Sequence, residues 1–158
     1  MNGLIGSPTS SPSAAGEDIS FGAFWPKITL SDFRDEMRVG NNTIPNPRLK
    51  SALSAAALTV EKDLINQLAQ WQVEGHSSLA TVSSPDYGDE TKLVSLWRTA
   101  VFAYAAAELI ETHRDISATN DGINRADGPL QNVTALKVKA LNCIRDIKNK
   151  PRVDCELI

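Results

Sequence analysis

Between Pro47 and Gly75 the sequence repeats apolar residues in steps of three and four: Leu49, Leu53, Ala57, Val60, Leu64, Leu68 and Trp71. That period puts all seven on one side of an α-helix, which a strand with its two-residue alternation cannot do. Asn46 is expected to cap the start, with Pro47 at the first helical position, where a missing N–H costs nothing. Gly75 supplies the stop. The resulting rod would be about 40 Å long. With one apolar side, it must be buried against other elements, and the remainder of the chain has to provide them.

Two further long helices do so. One runs from 90 to about 113 and carries Leu93, Leu96, Trp97, Ala100, Val101, Tyr104, Ala107 and Ile110, thickened by Ala103, Ala105 and Ala106. So wide an apolar arc belongs to a central helix with more than one neighbour. Leu96, Trp97, Ala100 and Tyr104 are therefore candidates for packing within the chain or against an adjacent subunit. The other begins at Pro129 with Leu130, Val133, Leu136, Val138, Leu141, Ile144 and Ile147, and Pro151 is expected to end it. Ser31 predicts a capped short helix through Val39, with Asp32 and Asp35 in its first turn and Gly40, Asn41 and Asn42 after it. Residues 76–89 read as a loop with one short turn opened by Ser78. The fold class is all-α: a helical bundle of three long helices plus one or two short ones, with extended N- and C-terminal arms.

The divisions follow composition. Residues 1–20 are rich in Ser, Gly, Pro and Ala and read as a flexible leader arm; 21–150 form the helical domain; 151–158 form a C-terminal arm. Phe21, Phe24 and Trp25, just before Pro26, are too apolar for a mobile leader. They are expected to cover an open end of their own bundle, with a neighbouring copy as the other possibility. In the arm, Val153, Cys155 and Leu157 alternate with Arg152, Asp154 and Glu156 before Ile158. Extended, its eight residues reach about 26 Å. Such a segment can add to a receiving edge, its apolar side chains entering pockets. The alternative is a tail folded back along its own third helix.

Composition excludes several function classes. The formal charge is −3, which disfavours a tight sequence-independent grip on duplex DNA. The nearly apolar run at 100–107 is far too short to cross a bilayer, so no membrane role is expected. The absence of positive charge before Lys27 gives no indication of export. Cys143 and Cys155 are too few for a disulfide framework and are expected to be reduced. His76 and His113 lack metal-ligand spacing: position 110, where a diiron helix would need Glu, is Ile. Glu108 and Glu111 read as a solvated helix edge, and no phosphate loop, dinucleotide fingerprint or nucleophile elbow occurs. No catalytic, metal or cofactor site is expected. Lys137, Lys139, Arg145, Lys148, Lys150 and Arg152 keep one alternative open, a DNA-binding helical module, although Asp154 and Glu156 dilute the patch.

Four blocks taken in order carry a resemblance: FWPKITLSDFRDEMRV (24–39), RLKSALSAAALTVEKDLINQLAQW (48–71), LVSLWRTAVFAYAAAELIETHRDISAT (93–119) and CIRDIKNKPRVDCELI (143–158). Together with the closing I-R-D-I-x-x-x-P-R-x-x-x-E-L-I, they resemble the GpL-like head completion (head stabilisation) proteins of contractile-tailed bacteriophages. The resemblance runs from about Phe24 to Ile158 and does not include the leader. It implies a non-enzymatic virion component, assembled in the host cytoplasm, that adds to the portal vertex once DNA is packaged. It further implies copies arranged in a ring, twelve by similarity to other helical adaptors, between the portal protein and a tail terminator or neck protein. Packaged DNA would pass through without sequence-specific binding. On this view Pro151, Arg152, Val153, Cys155, Glu156, Leu157 and Ile158 are the portal-docking arm.

Overall fold

The computed structural model describes residues 17–38, 44–117 and 127–152, with side chains at 113–117 and 127–131 outside the description. Most of this is helix: α1 Leu30–Met37, α2 Asn46–Asp63, α3 Ile65–Val73, α4 Lys92–Ser117 and α5 Asp127–Ile147, with a 3₁₀ turn at Leu79–Thr81. Two small antiparallel pairs accompany them. β1 (Asp18–Ile19) pairs with β2 (Ile28–Thr29), and β3 (Asp86–Tyr87) with β4 (Glu90–Thr91). The second pair closes through Gly88 and Asp89, with Gly88 at φ 74°, a conformation that favours glycine.

Helix ends depart from the sequence reading in instructive ways. Thr29, not Ser31, caps α1: held extended by the β1–β2 pairing, its Oγ1 accepts the Asp32 N–H at 3.3 Å, and Ser31 Oγ donates to the same oxygen. Starting earlier brings Leu30 into the first turn, where it is buried. The helix ends at Met37, with Arg38 left-handed; Val39 and the expected stop at Gly40, Asn41 and Asn42 lie outside the described residues. Asn46 is not a cap either. Pro45 holds that extended position, and the Asn46 side chain is turned to Arg34 instead.

The rod expected from 46 to 75 is divided at Leu64, whose φ −98° and ψ 8° separate α2 from α3. The hydrogen-bond ladder bridges the break, since Leu64 N–H is shared between Val60 and Glu61 carbonyls and its own carbonyl accepts from Leu68. Gly75 then ends α3 as expected, at φ 90°. Its N–H donates to Gln72 O, and His76 N–H donates to Trp71 O at 3.0 Å. Ser78 opens the 3₁₀ turn through reciprocal bonds with Thr81.

α4 lies at the centre, packed most extensively against α5 and next against α2. Ala100, Val101, Phe102, Ala103, Ala105, Ala106 and Ala107 are all buried, so the helix is enclosed around its circumference over two turns. Small alanines let the flanking helices approach, and Phe102 and Trp97 supply the bulk. Lys92–Thr112 is long and apolar enough to cross a membrane on composition alone, but its apolar side chains are spent on the core. Within the body, Arg34 is the one buried charged residue described, 5% exposed. Its Nη2 donates to Ile44 O and Asn46 Oδ1, each at 2.8 Å, which tethers α1 to the start of α2.

Candidate functional site

The aromatic segment closes one end of the body. Phe24 and Trp25 are buried, and Phe21 is partly so. Trp25 stacks on Trp97 of α4, with ring centroids 5.6 Å apart and 8° between planes. Phe24 stacks on Trp71 of α3 at 6.0 Å and meets Trp25 edge-on at 5.3 Å, while Phe21 meets Trp97 edge-on at 5.7 Å. The five rings form one continuous ladder across the ends of α3 and α4. Leu79 N–H donates to Phe24 O at 2.9 Å and ties the 3₁₀ turn to it. Residues 17–19, which composition groups with the leader, are stitched to this end as well: Leu30 N–H donates to Glu17 O, and Glu17 pairs with Lys50.

Of the two packings open to the α4 residues, the one within the chain is seen here. The wide apolar arc of α4 is covered by its own chain, with Trp97 and Ala100 having no exposure. Only Leu96 and Tyr104 of the four candidates are partly accessible. Burial, helped by the neighbouring Asp63 carboxylate, pushes the Tyr104 phenol upward.

Among the described residues, the large apolar groups left in solvent lie elsewhere: Leu58, Ile65 and Val73 on α2 and α3, Tyr87 on β3, and Val138 and Leu141 on α5. Sequence reasoning counted Val138 and Leu141 in the core stripe of the third helix. Helix geometry could have separated them, since Val138 lies two residues from the buried Ala140 and so points about 200° away. Val138 and Leu141 border a groove of about 320 Å³ that they share with Asp63, Asn142, Ile144, Arg145, Lys148 and Lys150. Its floor is apolar. Of its charged lining groups, three are cations and one is a carboxylate.

Beside the groove the chain leaves α5, and here the proline does not stop the helix. α5 ends at Ile147, and Asn149 adopts a left-handed φ of 52°. Asn149 N–H donates to Asp146 O at 3.1 Å and Lys150 N–H to Arg145 O at 2.8 Å, a complete Schellman closure made two residues before Pro151. Pro151 and Arg152 are exposed but not released. Arg145 Nε donates to Pro151 O at 2.8 Å, and the Arg152 guanidinium donates to Asp146 through Nη2 at 2.5 Å and Nε at 3.2 Å. That hydrogen bonding holds the Asp146 carboxyl below its ordinary value. Val153, Cys155, Glu156, Leu157 and Ile158 lie outside the described residues.

The basic stripe of α5 is partly neutralised, since Lys137 pairs with Glu111 at 2.7 Å and Arg152 with Asp146. Among the described residues, no three His, Cys, Asp or Glu side chains converge as a metal site would require. Cys143 is buried, and that burial raises its thiol pKa.

Residues 19–158 match the phage head completion protein (GPL) family. The probable head completion/stabilization protein of Haemophilus phage HP1 (strain HP1c1) is 31% identical over 134 residues, covering 85% of this chain and 87% of that protein. No solved structure matches.

Proposed function

Because the chain belongs to the phage head completion protein family, we propose that it joins the portal vertex of the filled head, holds the packaged genome in and presents a platform for the tail. It is a structural component of the virion and acts as a ring of copies. The single observation that carries the portal contact is the exit from α5. The helix is closed by Asn149, and the next three residues, Lys150, Pro151 and Arg152, are delivered to the surface at the end of a rigid element. Beyond them the sequence alternates Val153, Cys155 and Leu157 with Asp154 and Glu156, a pattern that suits strand addition to a receiving edge. One such arm binds weakly, whereas many arms on one ring gain by multivalency. With α4 enclosed, the faces open to a neighbouring copy are those bearing Leu58, Ile65, Val138 and Leu141.

Removal of residues 152–158 tests the portal contact. The truncated chain should fold and remain monodisperse, yet fail to co-sediment with portal-bearing filled heads, and those heads should lose DNA to nuclease. Normal addition of the truncated chain to heads would overturn the arm's assignment.

A further inference from the structure

We infer that the β3–β4 hairpin of one copy docks in the α5 groove of the next, its Tyr87 ring on the apolar floor and its acidic groups among the groove's cations. The inference rests on the reading that copies stand side by side at one vertex, and it deepens that reading by naming the two surfaces that meet.

Three observations converge. The first is an anchor with nothing to cover it. Tyr87 is 70% exposed, the one exposed aromatic ring among the described residues. The pairing of β3 with β4 and the turn through Gly88 present it on a short ribbon. Tyrosine brings a large contact area at little cost in ordering entropy and is enriched among the residues that anchor interfaces. The groove has room for it: about 150 Å³ is enough for a benzene ring. The groove holds about 320 Å³ and is bordered by the half-exposed Val138 and Leu141. The second observation is charge. Asp86 and Asp89 stand within two residues of Tyr87, and among the described residues no salt bridge takes up either, whereas Glu90 is held by Arg98. The groove presents Arg145, Lys148 and Lys150 against Asp63 alone. Seating the ring there brings carboxylates to cations, so potentials of opposite sign meet.

The third observation is position. Lys92, whose N–H donates to Pro85 O at the base of the hairpin, lines one cleft with Asp146. Asp146 in turn lies about 100° around α5 from Arg145 of the groove. Hairpin and groove are therefore at the same end of the molecule but on different flanks. Copies related by rotation about one axis keep each residue at its own height, so a contact repeated around a ring must join two different patches at one level. Within one copy the hairpin leaves the groove open, since Tyr87 takes no part in its lining.

Photo-cross-linking reads the contact directly. Tyr87 is replaced by p-benzoylphenylalanine, and a mixture of isotopically heavy and light full chains is loaded onto filled heads. Adducts formed on irradiation are located by peptide mass mapping. Position 87 should attach to residues 138–150 of another copy, joining heavy chains to light ones, and a denaturing gel should show a ladder extending beyond two copies. Tyr87→Phe should load as the unsubstituted chain does. Tyr87→Ala should need about 30-fold more protein for half-maximal loading, the loss expected of a buried interface anchor. Its melting temperature in the isolated chain should be unchanged, because Tyr87 is exposed there. Copies counted per vertex separate the two ways to fail. A single copy on each head would end the ring reading and the contact together. Several copies with position 87 attached elsewhere, to another virion protein, only within its own chain or to nothing would overturn the contact and leave the ring standing. Normal loading of Tyr87→Ala would overturn it in the same way.

Discussion

Replacing Trp25 by alanine removes the middle rung of the aromatic ladder. Trp25 is 5% exposed, lies parallel to Trp97 at 5.6 Å and meets Phe24 edge-on at 5.3 Å. Truncating a buried Trp costs about 3–5 kcal/mol through lost transfer energy and an unfilled cavity. Collapse of the site is restricted, since Trp97 and Phe24 are themselves fixed by Phe21 and Trp71. Of that cost, about 0.5–1.5 kcal/mol belongs to the ring–ring geometry rather than to area. A double-mutant cycle with Trp97→Leu should return a coupling of that size. For a domain of this length each kcal/mol moves the melting temperature by about 2–4 °C, so Trp25→Ala should lower it by about 6–20 °C in the isolated chain. Val73→Ala, at 89% exposure, should change stability by less than about 0.5 kcal/mol. A melting temperature unchanged by Trp25→Ala, measured by thermal denaturation followed by circular dichroism, would refute the reasoning and assign the rings to contact with another subunit.

Arg34→Met keeps the stem but removes the donor to Ile44 O and Asn46 Oδ1; chemical denaturation should show a loss of about 2–3 kcal/mol, mostly from disordering the α1–α2 connection. Gly75→Ala meets open space but must adopt φ 90°, so it should cost about 1–2 kcal/mol, read from the same denaturation midpoint. Asp146 is depressed by Arg152, so the clamp's contribution is fully present above the ordinary carboxylate value and disappears as pH falls through the lower folded one. A carboxyl-carbon NMR titration should place the Asp146 midpoint below the ordinary range, and Arg152→Ala should return it there.

The features most legible in the sequence rest on local chemistry. The 3.6-residue stripe from Leu49 to Trp71, the glycine stop at Gly75 and the Ser78 turn each depend on a few neighbouring residues, and each stands where expected. The misreadings all required tertiary knowledge. Ser31 and Asn46 are sound cap residues in isolation, but Thr29 is placed by a strand pairing and Asn46 is drawn off by Arg34 ten or more positions away in sequence. Leu64 divides the rod where no breaker residue occurs. The arc of α4 left packing within the chain and against a neighbouring subunit both open, because sequence gives the width of an apolar face without saying how many elements of the same chain cover it. Pro151 drew the helix boundary three residues late, at 150 rather than Ile147, since an Asn in the left-handed region is far less conspicuous than a proline. The candidate surface on α5 was hidden inside a stripe that included every apolar residue rather than those on one side.

DNA retention tests most directly whether this protein completes and stabilises the filled phage head. Filled heads assembled without the protein should release their genome, measured as nuclease-sensitive DNA over time. Adding the purified full chain should restore protection in proportion to the copies bound at one vertex. Heads that lack the protein yet keep their DNA protected and accept tails at the normal rate would contradict it.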